Sequence, residues 1–103
     1  MKITIKNTEF DSGKLLRNKY KNYSQVKESL MDENRETYTD EDLDKMVSAI
    51  VMLFDNQFTE EDINNEFEIS DIIYNFMRIE IEIAQKLNKK IEQTSKLFMI
   101  EKK

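Results

Sequence analysis

Strict alternation of apolar and polar residues occurs at the start of the chain. Ile3 and Ile5 stand between polar residues, a period of two that is typical of a half-buried strand. Residues 7–8 are candidate turn residues, and residues 9–10 would return as a second short strand. The pattern therefore predicts a small β-hairpin over residues 1–13.

From residue 16 onward the apolar residues recur every three or four positions, which is the period of an amphipathic helix. The first such helix is predicted to begin at Leu16 and to end near 32–36. A second is predicted over about 40–55, a short third over 59–66, and the longest follows Ser70. The stripe predicted to be buried on the longest helix consists of Ile72, Phe76, Ile79, Ile83, Leu87 and Ile91. The fold class predicted is mainly α, a small domain of about four helices with a short N-terminal β-hairpin.

Two helix starts share one motif. Residues 38–43 and 58–63 both read aromatic-Thr-acid-Glu-Asp-aliphatic. Thr39 and Thr59 stand at the N-cap position, where a side-chain oxygen accepts a hydrogen bond from the first turn, and the Asp three residues later can complete a capping box. Ser70 is the N-cap predicted for the longest helix. A calcium loop over the acidic residues of the first motif would need a glycine at its sharp turn, which is missing there.

The composition leaves few residues for catalysis. Cys and His are both absent, which excludes disulfides, zinc sites and the usual thiol or imidazole chemistry. Glu80 and Glu82 stand two residues apart and would point to different faces of a helix, so they do not form an acid–base pair. We predict no catalytic residue, no metal site and no cofactor. The apolar runs are also too short for a signal peptide or a membrane span, so we expect a soluble intracellular protein with no membrane partner.

The charges are segregated along the chain. Residues 1–27 carry a net charge of +5, residues 28–71 a net charge of −13, and residues 72–103 a net charge of +3. The acidic middle opposes binding to phosphates, so no nucleic-acid partner is predicted. Complementary basic and acidic segments favour association between copies instead, with residues 14–27 meeting the acidic middle of a neighbour. A homo-oligomer is therefore predicted.

The order of these features resembles the phage tail assembly chaperones of long-tailed phages. The resemblance covers roughly residues 1–90, and its most specific part is Phe-Asp-Asn-Gln-Phe-Thr at 54–59. Before it come the Lys-Ile-Thr-Ile strand and Phe-Asp-Ser-Gly-Lys at 10–14, and after it an acidic short helix and Ile-Ile-Tyr-Asn-Phe at 72–76. The resemblance implies a non-enzymatic protein of the host cytoplasm that keeps the tape measure protein soluble. Such chaperones also help to recruit tail tube subunits and are absent from the mature virion.

Candidate contact residues follow from the resemblance and from the apolar pattern together. The residues predicted to bind a partner are Phe54, Phe58, Met77, Ile81, Leu97 and Phe98. A single helical domain is predicted over residues 1–93, with residues 94–103 as a tail or helix end whose apolar residues either pack in the core or face a partner. An alternative function also stays open, a small acidic phage-encoded regulator or inhibitor of a host protein.

Overall fold

An N-terminal hairpin precedes four helices. The computed structural model describes residues 1–31 and 37–101, with the side chains of 31 and 95–101 outside the described part. The elements are β1 (Lys2–Ile5), β2 (Thr8–Asp11), α1 (Arg17–Met31), α2 (Asp40–Leu53), α3 (Glu60–Glu66) and α4 (Ile69–Glu101). The predicted fold class, mainly α with a short hairpin, is confirmed.

The hairpin turns one residue earlier than predicted. β1 pairs antiparallel with β2, with Ile3 opposite Phe10. The two turn residues are Lys6 and Asn7, whose φ angles of 52° and 63° are those of a two-residue type I′ turn. The predicted turn at residues 7–8 is therefore wrong, because Asn takes the second left-handed position of the turn and not the first.

The core is built around α2, which packs against both α1 and α4. Ile50 of α2 is fully buried, and the ring of Tyr23 from α1 lies 4.8 Å from that of Phe76 from α4. Burial raises the pKa of the Tyr23 hydroxyl, because the charged form would lose its hydration. These contacts hold the three helices in one layered bundle, against which Ile3 and Ile5 of the hairpin are also buried.

Helix α1 begins after the predicted start. Its first residue is Arg17, and the side chain of Leu16 is exposed, so the prediction that Leu16 opens the apolar face is wrong. On the side facing α4, the Lys27 ammonium lies 2.8 Å from the Glu80 carboxylate, to which the Tyr20 hydroxyl also donates at 3.2 Å. This polar group ties α1 to α4 beside the ring contact in the core.

Thr39 and Thr59 are N-caps with complete capping boxes, as predicted. The Oγ1 atoms of Thr39 and Thr59 accept from the N–H groups of Asp42 and Asp62 at 3.2 and 3.1 Å. In return, the two carboxylates accept from the N–H groups of the capping threonines at 2.9 and 3.0 Å. The backbone N–H of Thr59 is the main reason that the pKa of Asp62 lies below its usual value.

Helix α4 starts differently from the prediction. It begins at Ile69, so Ser70 lies inside its first turn and the predicted N-cap at Ser70 is wrong. The Glu68 carbonyl accepts from the N–H groups of Asp71 and Ile72 at 3.0 and 3.1 Å, which places the start of the helix there. The Asp71 carboxylate accepts from the Glu68 N–H at 3.2 Å, which satisfies a donor before the first turn.

The capping boxes give a first testable prediction. Thr39→Ala and Thr59→Ala should each lower the free energy of unfolding by about 1 kcal/mol, because each removes a side-chain acceptor from a first-turn amide. Urea denaturation followed by circular dichroism measures the change. Thr94→Ala is the matched control: the Thr94 hydroxyl donates to the Lys90 carbonyl inside α4, where alanine is the better helix former. A loss at residue 94 as large as at the caps would contradict the prediction.

Candidate protein-binding surface

Phe54 and Phe58, two of the predicted contact residues, belong to the core. Both side chains are buried, and their ring centroids lie 5.3 Å apart. The ring of Phe58 also lies 5.2 Å from that of Phe10 on the hairpin. Neither side chain reaches the surface, so the fold does not present Phe54 and Phe58 as contact residues, and their contact with a partner stays a prediction.

The polar residues between these two rings connect three elements. Asp55 and Asn56 have φ angles of 57° and 58°, so the chain turns directly after α2. The Asp55 carboxylate lies 2.9 Å from the Lys19 ammonium of α1, and the Gln57 amide donates to the Asp11 carbonyl of the hairpin at 2.8 Å. The segment that carries the most specific sequence resemblance is thus a structural junction of the fold.

Helix α4 extends beyond the core. It has 33 residues, about 50 Å at 1.5 Å per residue, and Ile72, Phe76 and Ile79 are buried along its first half. Leu87 and Ile91 continue the same stripe, yet their side chains are 56% and 52% exposed. The prediction that Leu87 and Ile91 are core residues is therefore wrong, since no other described element covers them.

We call residues 84–94 of α4 the distal segment. Every side chain in it is exposed. The distal segment therefore offers apolar side chains on a helix that leaves the bundle. Among the described residues, no helix combines the length and the apolar character needed to cross a bilayer.

An open groove runs between the distal segment and the chain before α1. Its volume is about 730 Å³. The apolar part of its lining consists of Leu15, Ile83 and Leu87. The rest of the lining is one glutamine and four exposed lysines, Lys14, Lys86, Lys89 and Lys90. We call this site the lysine groove; its lining joins an apolar floor to four positive charges.

A second exposed apolar surface lies on the other side of α4. Tyr74, Met77 and Ile81 are exposed, and a rotation of 100° per residue places them roughly opposite Ile79 of the core stripe. The Arg78 guanidinium lies 5.9 Å from the centre of the Tyr74 ring. We call the three residues the outer face. Met77 and Ile81 thus have the exposure that their predicted partner contact requires, and the contact itself stays a prediction.

The other two predicted contact residues, Leu97 and Phe98, have side chains outside the described part of the chain. Only their helical backbone is described.

Comparison with known families agrees with a role in protein binding. A family model described as phage tail chaperone protein matches residues 1–99. The chain belongs to this family. No curated protein and no solved structure matches it.

The tail chaperone match covers both surfaces of α4. It extends to residue 99, beyond the sequence resemblance at 1–90, and so includes the whole distal segment. The predicted resemblance to phage tail assembly chaperones is confirmed.

The lysine groove has no counterpart among the sequence predictions. One signal for it was present, since Lys86, Lys89 and Lys90 stand at i, i+3 and i+4 and therefore share one side of a helix. Lys14 and Leu15 carry no such signal, because their approach to α4 depends on the path of the chain between the hairpin and α1.

Proposed function

We propose that this tail chaperone binds the tape measure protein and keeps it soluble during tail assembly. The observation that carries the proposal is the pair of exposed apolar surfaces on α4, the outer face and the lysine groove. A helix that is apolar on two sides is normally buried on both, so the free chain leaves apolar area for a client to cover. Family membership supports a role in tail assembly. The sequence resemblance implies that the client is the tape measure protein.

The proposed mechanism is the docking of client helices on α4. The resemblance implies a tape measure protein that is long and mostly helical with apolar stripes, and such stripes are bound by apolar helix faces and grooves. Met77 on the outer face is 47% exposed, and its unbranched side chain can adapt to successive, non-identical client segments. Covering the client stripes would prevent their aggregation without any chemical step, so the proposed function is non-catalytic.

Further partners belong to the same proposal. Several copies would bind along one tape measure protein, tail tube subunits would be recruited to the complex, and the chain would leave before the virion is complete. Assembly would take place in the host cytoplasm. The segregated charges favour contacts between copies, so a homo-oligomer stays a prediction.

Co-expression with the tape measure protein of the same phage tests the proposal. We expect the soluble fraction of the tape measure protein to rise and the two proteins to co-purify, because α4 would cover the client's apolar stripes. The control is the tape measure protein expressed alone at the same level. A tape measure protein that stays equally insoluble would contradict the proposal and would favour a regulator of a host protein instead.

A further inference from the structure

We infer that the lysine groove binds an amphipathic client helix whose apolar stripe is flanked by acidic residues. The inference rests on the proposed function, because it specifies which segments of the client the chaperone selects. It assigns to one site a selectivity for charge, whereas the outer face has no comparable set of like charges.

The groove has the dimensions of a helix-binding site. Its lining on α4 runs from residue 83 to residue 93, which is about 15 Å or nearly three helical turns. Leu87 is the exposed apolar side chain of its lining, and Ile91, which is outside the lining, lies one turn further along the helix. A client helix with apolar residues at i, i+3, i+4 and i+7 would cover both side chains.

The charge of the groove selects the flanks of that helix. Its lining contains four lysines and no acidic residue. Glu92, the acidic residue of the distal segment, lies roughly opposite Ile83 by helical rotation and so points away from the groove. Acidic flanks on the client would pair with the lysine ammonium groups, whereas basic flanks would meet like charges at close range.

A second copy of this chain fits the groove less well. Its acidic residues are concentrated in the segment 28–71, which includes α2 and α3. Among the large apolar side chains of these two helices, Met52 is the one that is exposed. The acidic α2 and α3 of a second copy would therefore match the lysines but would present no apolar stripe to Leu87 and Ile91.

Two synthetic peptides test the inference on the full chain. Both are helical with the same leucine stripe, and one carries glutamate and the other lysine beside the stripe. We expect the glutamate peptide to bind at least about tenfold more tightly in fluorescence anisotropy, because a few ion pairs beside a buried stripe provide that much discrimination. The triple variant Lys86→Glu, Lys89→Glu and Lys90→Glu should reverse the preference.

Single variants test the apolar floor. Leu87→Ser should weaken binding of the glutamate peptide about tenfold, because Leu87 is the exposed apolar residue of the lining and lies beside the lysines. Ile69→Ser is the matched control, since Ile69 is also an exposed aliphatic residue of α4 but lies at the opposite end of the helix. Circular dichroism confirms that each variant remains helical.

Equal binding of the two peptides, or an unchanged preference in the triple variant, would overturn the inference. It would also be wrong if neither peptide bound and the triple variant instead dissolved an oligomer in analytical ultracentrifugation, because the occupant would then be a second copy. In both cases a wild-type chain that still solubilises the tape measure protein would leave the proposed function standing. If the triple variant reversed the peptide preference but the tape measure protein stayed insoluble with the wild-type chain, the inference would be supported and the proposed client refuted.

Discussion

Replacing Phe76 with alanine is expected to lower the free energy of unfolding by about 3–5 kcal/mol. The Phe76 side chain is 4% exposed, and its ring packs against that of Tyr23, so truncation leaves a cavity where α1 meets α4. A domain of this size has a total stability of roughly 5–15 kcal/mol, so the variant would keep only part of it. Urea denaturation followed by circular dichroism measures the loss.

Leu87→Ala is the matched substitution on the same helix and the same predicted stripe. Because Leu87 is exposed and no described element covers it, the expected change is within about 0.5 kcal/mol. Ile83, which is partly buried between these two positions, should give an intermediate loss. A loss at Leu87 as large as at Phe76 would mean that the distal segment packs on the bundle, and the groove would then be closed.

The second large effect concerns function and not stability. The double variant Met77→Ser and Ile81→Ser should keep the wild-type unfolding curve but lose most of the gain in tape measure solubility. Both side chains lie on the outer face at 47% and 50% exposure, so their apolar area is available to a client and contributes little to the core. Co-expression with the tape measure protein measures the soluble fraction.

A control with the same chemistry is available in the chain. Met52→Ser and Ile69→Ser remove a methionine and an isoleucine that are 50% and 62% exposed, but neither belongs to the outer face. This control should solubilise the tape measure protein as the wild type does. If the outer-face variant did so too, the outer face would not be the contact surface, and Met77 and Ile81 would have no role in binding.

The elements that the sequence predicted well are those specified by local physics. Ile3 and Ile5 identify the hairpin because alternation places both on one face of a strand. Thr39 and Thr59 identify two helix starts because the capping box closes within four residues. Ser70 was the wrong cap because the Glu68 carbonyl accepts the first hydrogen bonds of α4, so the helix starts before the serine.

The errors concern which apolar residues are covered by another element. Phe54 and Phe58 have the same apolar character as Met77 and Ile81, yet the first pair is buried in the core, on either side of the turn at Asp55 and Asn56. Leu87 has the same helical spacing as Phe76. However, the apolar pattern of α4 does not indicate how far the neighbouring helices extend alongside it. Such information resides in how the elements pack, and a single sequence does not display it.

The distal segment of α4 also bears on how a client would be released. Its backbone amides are hydrogen-bonded within the helix, and no other described element packs against it. A helical segment of about 11 residues is barely stable alone in water. Its amides should therefore exchange with solvent through local opening, without unfolding of the bundle. Part of the binding free energy would go into holding this segment helical, which lowers affinity and speeds dissociation. Weak, reversible binding at this end of the helix would suit the proposed release of the client before the virion is complete.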